Sequence, residues 1–478
     1  MKYIGLALLT ILGIILFLLI VAVLRTVFMA SKKSEYIAPP LDERAMGYAE
    51  KLSKMVRCET VSAANVYDKE KFDKFHELLE RLFPQVHSTM SQVNIDGNLL
   101  FHWKGKSSEK PLVLMSHQDV VPAEGEWIHE PFSGDIADEK VWGRGAVDTK
   151  SSLMAIFQSC EELIEKEYTP EHDVYISSSC TEEWAGDGCP KIVAELKKKG
   201  VRPYMVCDEG GAIITEPIGG IKGNFAMIGV FEKGKADVRF TAHSTGGHAS
   251  APAKNTPIAR LAALVNECEN HSPFKKKFLP DVTAMFNSLA PYAPFGLKLV
   301  LGNLWLFKPV MKIVLPAISP QAGAMLKTTI AFTMQTGSDA VNVLPQEATL
   351  YANMRFIPHQ GQKESLDIME NMAHKYDLEM EVLHSNDYTK SVDIKGEQFH
   401  LIEKTIEKTF PGLAYSPYVM TGATDVQFYQ EICDNCIRFS PVIYGPEQMK
   451  GMHGINENVE INCLPGAVDF YKNLIISH

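Results

Sequence analysis

Five short segments set histidines and carboxylates at strand ends or in glycine-flanked loops. In Leu112-Val-Leu-Met-Ser-His117-Gln-Asp119 an apolar strand delivers a histidine with an acid two residues on. A metal-bound imidazole needs a carboxylate or carbonyl on its other nitrogen to fix its tautomer, and Asp119 is of the right type. Gly143-Arg-Gly-Ala-Val-Asp148-Thr-Lys puts an acid just before an apolar helix, where it serves equally well as an N-cap. Cys180-Thr-Glu182-Glu183 comes after another strand. Adjacent carboxylates there need a cation or a proton if buried, and neither if the loop is solvated. Val206-Cys-Asp208-Glu-Gly-Gly and Gly451-Met-His453-Gly-Ile-Asn-Glu complete the set, and each alone also reads as a turn. Taken together they carry more. Open α/β sheets bind ligands beyond the carboxyl ends of their strands. One bridging acid with two histidines and two further acids suits a pair of divalent ions, zinc foremost. The remaining glutamate is then free to act as a base.

The elements that must position these groups alternate between strand and helix from residue 41 to about 220. Leu99–Trp103, Leu112–Ser116, Val174–Ser179 and Tyr204–Cys207 read as strands. Leu153, Met154, Ile156, Phe157, Cys160, Leu163 and Ile164 fall on one side of a helix. This predicts an α/β fold on a mixed, largely parallel sheet. From residue 237 the order becomes β-α-β-β-α-β, that of a ferredoxin-like α+β sheet. Residues 225–385 are therefore expected as an inserted lid or dimerisation domain, with 41–224 and 386–478 forming the catalytic domain. Thr256-Pro257 reads as the N-cap and first turn of a helix inside the insert. The apolar stretch 295–325 fits a lid, a dimer contact, a surface membrane contact or the ordinary buried core of the insert.

The chain has 478 residues, 46% of them hydrophobic, with 47 basic against 58 acidic side chains and a net charge of −11. That excludes a mostly disordered chain and argues against a nucleic-acid partner, which wants a basic surface. Nine scattered cysteines do not make a disulfide framework. Cys433 and Cys436 form a lone CxxC without the second pair a zinc site needs. Residues 3–24 carry one clearly polar side chain, Thr10. As a helix they span about 33 Å, enough for a bilayer core of about 30 Å and longer than the apolar core of a cleaved signal. A single-pass anchor at 3–24 with a tether at 25–40 is expected, or a secreted protein if the segment is cleaved. Arg25, Lys32 and Lys33 lean toward a cytoplasmic C-terminal side, whereas leading apolar segments often export the chain behind them, so the side stays open.

The order SHQDVVP, WxxxPFSGDIADEKVWGRGAVDTK, TEE, CDEGG and MHGINE resembles the co-catalytic di-zinc peptidases, the family of aminoacylase, acetylornithine deacetylase, succinyl-diaminopimelate desuccinylase and carboxypeptidase S. The likeness runs from about residue 45 to the C-terminus and is nearest the carboxypeptidase S branch. It implies two Zn2+ per chain, with Co2+ or Mn2+ as alternatives. Asp148 would bridge them, His117 and Asp208 would complete one site, and Glu183 and His453 the other. Glu182 would be the base and Asp119 the support of His117. In the insert, His248 of Ser244-Thr-Gly-Gly-His248 resembles the oxyanion-stabilising histidine, often supplied by a partner subunit. Asn342 and Arg355 resemble the groups that grip a substrate carboxylate, and Gly422 of Thr421-Gly-Ala-Thr-Asp the substrate-contacting loop. Thr149 and Trp184 depart from the commoner residues of the family. The implied reaction is metal-dependent hydrolysis of an amide or peptide bond beside a free carboxylate, in a small peptide or an N-acyl amino acid. The alternatives are a dedicated aminoacylase-type deacylase and a catalytically inactive membrane scaffold. A homodimer through the insert is implied by the resemblance alone.

Overall fold

The computed structural model describes residues 2–64 and 66–478. In chain order the principal strands are β1 (Ser91–Ile95), β2 (Asn98–Trp103), β3 (Ser107–Met115), β4 (His172–Ser178), β5 (Met205–Thr215), β6 (Asn224–Glu232), β7 (Gly234–His243), β8 (Thr329–Thr336), β9 (Glu347–Phe356), β10 (Glu379–Asn386), β11 (Ala414–Met420) and β12 (Cys436–Tyr444). The main helices are α1 (Lys2–Phe28), α2 (Glu43–Val56), α3 (Ser151–Glu165), α4 (Pro257–Asn270), α5 (Phe295–Leu301), α6 (Leu304–Ile318), α7 (Gln362–Lys375) and α8 (Leu464–Ser477).

Eight strands form one sheet in the order β11-β6-β12-β5-β3-β4-β2-β1. Its centre, β12, β5, β3 and β4, is parallel. Both margins turn antiparallel, at β4–β2–β1 on one side and where β6 meets β5 and β12 on the other. The central strands read as unbroken apolar runs because helices cover both faces. Val113, Leu114, Ile176, Val206 and Cys207 are all buried. α2 begins where the Asp42 carboxylate accepts from Ala45 N at 2.7 Å, and it buries Ala45, Tyr48, Ala49, Leu52 and Val56 on one face. α3 is buried along most of its length beneath α2 and α8, its polar Ser151, Ser152, Gln158, Ser159 and Glu161 included. Pro257 does begin α4, but the Thr256 side chain makes no cap bond.

A second, antiparallel sheet has the order β8-β9-β7-β10. With α4 after β7 and α7 after β9, this is the β-α-β-β-α-β arrangement of the sequence pattern. It holds its own core, with Val238, Phe240, Leu261, Leu350, Met354 and Met369 among its members.

Two expected boundaries shift. The sequence pattern places residues 225–232 with the insert, yet β6 pairs with β5, β11 and β12 of the large sheet. The chain passes from one sheet to the other across Lys233 alone, and the segment returning from β10 crosses beside it, with Thr389 N donating to Glu232 O at 3.1 Å. Gly234 sits in this crossing, where a Cβ would lie 2.6 Å from Asn386 O and from Tyr388 N. The apolar stretch 295–325 does not join the core of the small sheet either. Leu301, Leu304, Met311 and Leu315 pack into the large core, because this segment leans back on the eight-stranded domain.

Tyr3–Phe28 is long and apolar enough to cross a membrane. Its side chains are exposed apart from a few near the C-terminal end, Ala22 and Thr26 most completely. The residues after it lie along the sheet margin, where Glu35 N donates to Gly412 O at 3.0 Å.

Candidate metal centre

The carboxyl ends of β3, β4 and β5 converge as the strand directions require. β3 ends at Met115, so His117 stands just beyond it, buried. Its Nδ1 faces the Asp119 carbonyl at 2.8 Å and the Asp119 carboxylate at 3.4 Å. Its Nε2 faces Asp148 Oδ1 at 3.1 Å and Glu209 Oε1 at 3.4 Å. A proton held on Nδ1 by Asp119 leaves Nε2 as the free donor atom, which is the tautomer a ligand needs.

Asp148 faces two ways. Its other oxygen lies 3.1 Å from His453 Nε2, which is also 3.0 Å from Glu183 Oε2. His117, Asp148 and Glu209 form one group of donors and Asp148, Glu183 and His453 a second, each with donor atoms within 4.8 Å of one another. Ligands about 2.0–2.2 Å from a tetrahedral ion stand about 3.3–3.6 Å apart, close to the spacing here. The donor set fits as well. Two imidazoles and three carboxylates suit zinc, and also cobalt or manganese.

The electrostatics point the same way. Burial drives the Glu182 carboxyl well above its ordinary range, and Glu209 and Asp425 nearby add to this. Burial, with Asp148 beside it, lifts Glu183 to about 7. Glu209 is raised by burial, against the pull of His117. Burial alone would lower His117, but Glu209 and the hydrogen bonds to Asp119 and Asp148 hold it well above the usual imidazole range. Hydrogen bonds to Asp148 and Glu183 raise His453 to about 10. So many carboxylates in one dry site are compensated by protons or by cations, and divalent ions on these donors would displace the imidazole protons.

Two carboxylates hold the donor residues in place. Asp119 accepts from Glu182 N and Glu183 N, both at 3.2 Å, and so fixes the turn that carries the glutamate pair. Glu457 is fully buried and accepts from Gly145 N at 3.0 Å, Val147 N at 2.8 Å, Asp148 N at 3.0 Å and Arg144 Nη1 at 2.6 Å. Arg144 also donates to Gly454 O at 2.7 Å. Both oxygens of Glu457 and both terminal nitrogens of Arg144 are hydrogen-bonded in this buried ion pair, which ties the Asp148 loop to the His453 loop.

Asp208 is not in either group. The sequence pattern ends its strand at Cys207, but β5 runs on to Thr215, so adjacent residues point to opposite sides of the sheet. Asp208 Oδ2 accepts from Val426 N at 3.0 Å, and Glu209 is the residue turned toward His117. The two glycines after it permit close contacts. A Cβ on Gly210 (φ +97°) would lie 2.5 Å from Met420 Sδ, and one on Gly211 would lie 2.3 Å from Met227 O. Met420 opens the loop that carries Gly422, so this loop lies directly on the glutamate strand. In the same loop Asp425, absent from the expected site residues, is buried, accepts from Ser179 Oγ, and is lifted by burial to about 7. Glu182 belongs to neither donor group and ends 4.0 Å from His117 Nε2.

The expected substrate residues of the small-sheet domain lie apart from this cluster. His248 pairs with Val343 in a short exposed ribbon, with Ala249 N donating to Asn342 O at 2.9 Å. Its Nδ1 is 2.8 Å from Ser250 Oγ. Arg355 in β9 donates through Nε to Asn353 Oδ1 at 3.0 Å. Cys433 and Cys436 are buried among apolar side chains, and the donor groups among the described residues contain no cysteine.

The model of peptidase family M20/M25/M40 matches residues 113–477. The chain belongs to that family. It is 30% identical to a probable carboxypeptidase S-like protein 2 of Dictyostelium discoideum over 96% of this chain and 91% of that one. It is 33% identical to the human N-fatty-acyl-amino acid synthase/hydrolase PM20D1 over 84% of this chain and 82% of that one. Among solved structures, the M20 family metallo-carboxypeptidase Sso-CP2 of Sulfolobus solfataricus shares the fold with a TM-score of 0.69 at 16% identity, covering 91% of this chain and 99% of that one. As an M20 family member the chain is a metal-dependent amide hydrolase, and the donor groups lie inside the matched region.

Proposed function

We propose that this enzyme hydrolyses the amide bond next to a free carboxylate in an N-acyl amino acid or a small peptide, using two bound zinc ions. The observation that carries the reading is Asp148, one carboxylate shared by two donor groups, with the half-buried Glu182 beside them and outside both. His117, Asp148 and Glu209 would hold one ion, and Asp148, Glu183 and His453 the other. When bound, the pair makes water nucleophilic near neutral pH and polarises the amide carbonyl.

The chain's own groups do the rest. Glu182 takes the proton of the attacking water and passes it to the leaving nitrogen, and its burial raises its proton affinity toward what a base needs at neutral pH. Asp119 keeps the His117 tautomer and the Glu182–Glu183 turn fixed. His248 donates to the oxyanion once it is carried in, by closure about the crossing at Lys233 or from a second copy docked through the small-sheet domain. Arg355 grips the substrate carboxylate through its planar fork, with Asn342 beside it and the Gly422 loop against the backbone. α1 anchors the enzyme in a membrane.

The test is incubation of the full chain in detergent with mixed dipeptides and N-acyl amino acids, with and without a chelator. Disappearance of particular species only in its absence is the expected result and names the substrate class. Unchanged turnover in excess chelator would sink the reading.

A further inference from the structure

Helix α6 has the polarity of a surface helix turned inside out. Its buried side carries Leu304, Met311 and Leu315. Every exposed position is apolar as well: Trp305, Pro309–Val310, Ile313–Val314 and Ala317–Ile318. Ile313 and Ile318 are 72% and 70% exposed. A helix on a water-facing surface puts charged and polar residues on that side. Lys308 and Lys312 stand at the flanks instead, half-buried.

This face begins where α1 leaves the protein. The elbow between α5 and α6, bent by 102°, grips the end of α1. Asn303, fully buried, donates through Nδ2 to Ala22 O at 3.2 Å and to Thr26 Oγ1 at 3.0 Å, and its Oδ1 accepts from Trp305 Nε1 at 3.1 Å. Gly302 leaves room for Met29, whose Cε would lie 2.6 Å from a Cβ there. The Arg25 guanidinium stands 5.9 Å from the Trp305 ring centre. Lys32 and Lys33 come next along the chain and are exposed. Tryptophan with arginine and lysine is the composition of a bilayer's headgroup level, and these cations are placed to meet lipid phosphates.

We propose that α6 lies in the surface of the membrane that α1 enters, with the stripe from Trp305 to Ile318 against the acyl chains and the flanking lysines at the headgroups. α1 and α6 then form a two-point mount that fixes the orientation of the enzyme on the bilayer, where a single spanning helix would leave it free to swing. The C-terminal end of this mount reaches the crossing between the two sheets. Just beyond α6, the carbonyls of Ala324 and Lys327 accept from Lys233 Nζ at 3.0 and 2.9 Å. The proposal rests on the reading of α1 as a membrane anchor.

The test uses the full chain in phosphatidylcholine vesicles with a photoreactive benzoylphenylalanine at one position at a time: Ile313, Leu12 in α1 as the anchor control, or exposed Lys363 on the small-sheet domain as background. The expected result is a lipid adduct, found by mass spectrometry, on the peptides carrying positions 313 and 12 and none at 363. Lipid at 12 with none at 313, or a crosslink from 313 to a second copy of the chain, overturns the proposal and leaves the anchor intact. Lipid at neither position removes both. Lipid at 313 without lipid at 12 sinks the anchor reading and, with it, the two-point mount proposed here.

Discussion

At the carboxyl ends of β3 and β4 and beside Glu209 of β5, imidazoles and carboxylates crowd together at 3.0–3.4 Å, whereas in the small-sheet domain His248 and Arg355 have only local partners. The first set is buried or half-buried apart from the exposed His453, and it is braced from behind by Asp119 and Glu457. His248 sits in an exposed ribbon and Arg355 pairs with a neighbour on its own strand. The difference separates two ways of building a site. A group of like charges is assembled by the fold and needs bracing because its members repel. The proposed substrate groups, acting only on a bound substrate, can wait on a separate body joined by a short crossing.

That contrast breaks most readily at Glu182. Glu182→Gln should lower kcat by about 10²–10⁴-fold with the metal content unchanged by elemental analysis. Near-normal turnover would remove Glu182 from the chemistry. Next comes His248→Ala, expected to cost about 10²–10³-fold in kcat while metal content and melting temperature stay put. A loss of metal in this variant would mean that the ribbon belongs to the cluster after all. Glu457→Gln sharpens the other side. Weakening the brace should reduce metal affinity by about 10–100-fold, with kcat largely recovered at saturating metal. Glu209→Gln should lose about one equivalent of metal, and Asp208→Asn should keep both. The reverse outcome would restore Asp208 as a ligand.

The smallest effect lies at the crossing itself. Burial, with Arg355 and Lys327 adding repulsion, lowers Lys233 from 10.5 to about 7. Between those values the unfolded chain binds a proton there that the folded chain does not, so stability rises with pH across that window. Lys233→Met should flatten this rise. Melting curves of both proteins from pH 7 to 10 check it, and parallel profiles would show that the amine stays charged.

Most donors were legible because each stands at a strand end or in a glycine-flanked loop, and local sequence marks both. Asp208 and Glu209 show where that legibility stops. Alternation along a strand decides which of two adjacent acids faces the site, and it can be applied only once the strand's end is known. β5 continues through its glycines, with an irregular register against β12, and nothing in Val206-Cys-Asp-Glu-Gly-Gly announces this. Glu457 lies within the motif that supplies His453, but its role depends on backbone amides far away in sequence. The ferredoxin-like order is visible as a succession of strands and helices. The boundary at 225 is not, because β6 carries the same apolar pattern whichever sheet it joins. For α6 an apolar composition hides the periodicity, and only the fold distinguishes its two sides.

Glu457 also sets a timetable. Its partners in the Asp148 loop lie 309 to 313 positions earlier in the chain. At about 5–20 residues per second, a ribosome needs roughly 15–60 s to cover that gap. Throughout that interval the first-made ligands exist without His453 or the brace between the loops. A chain that stops short of His453 therefore cannot assemble both donor groups, and the proposed site stays incomplete until that loop has been made.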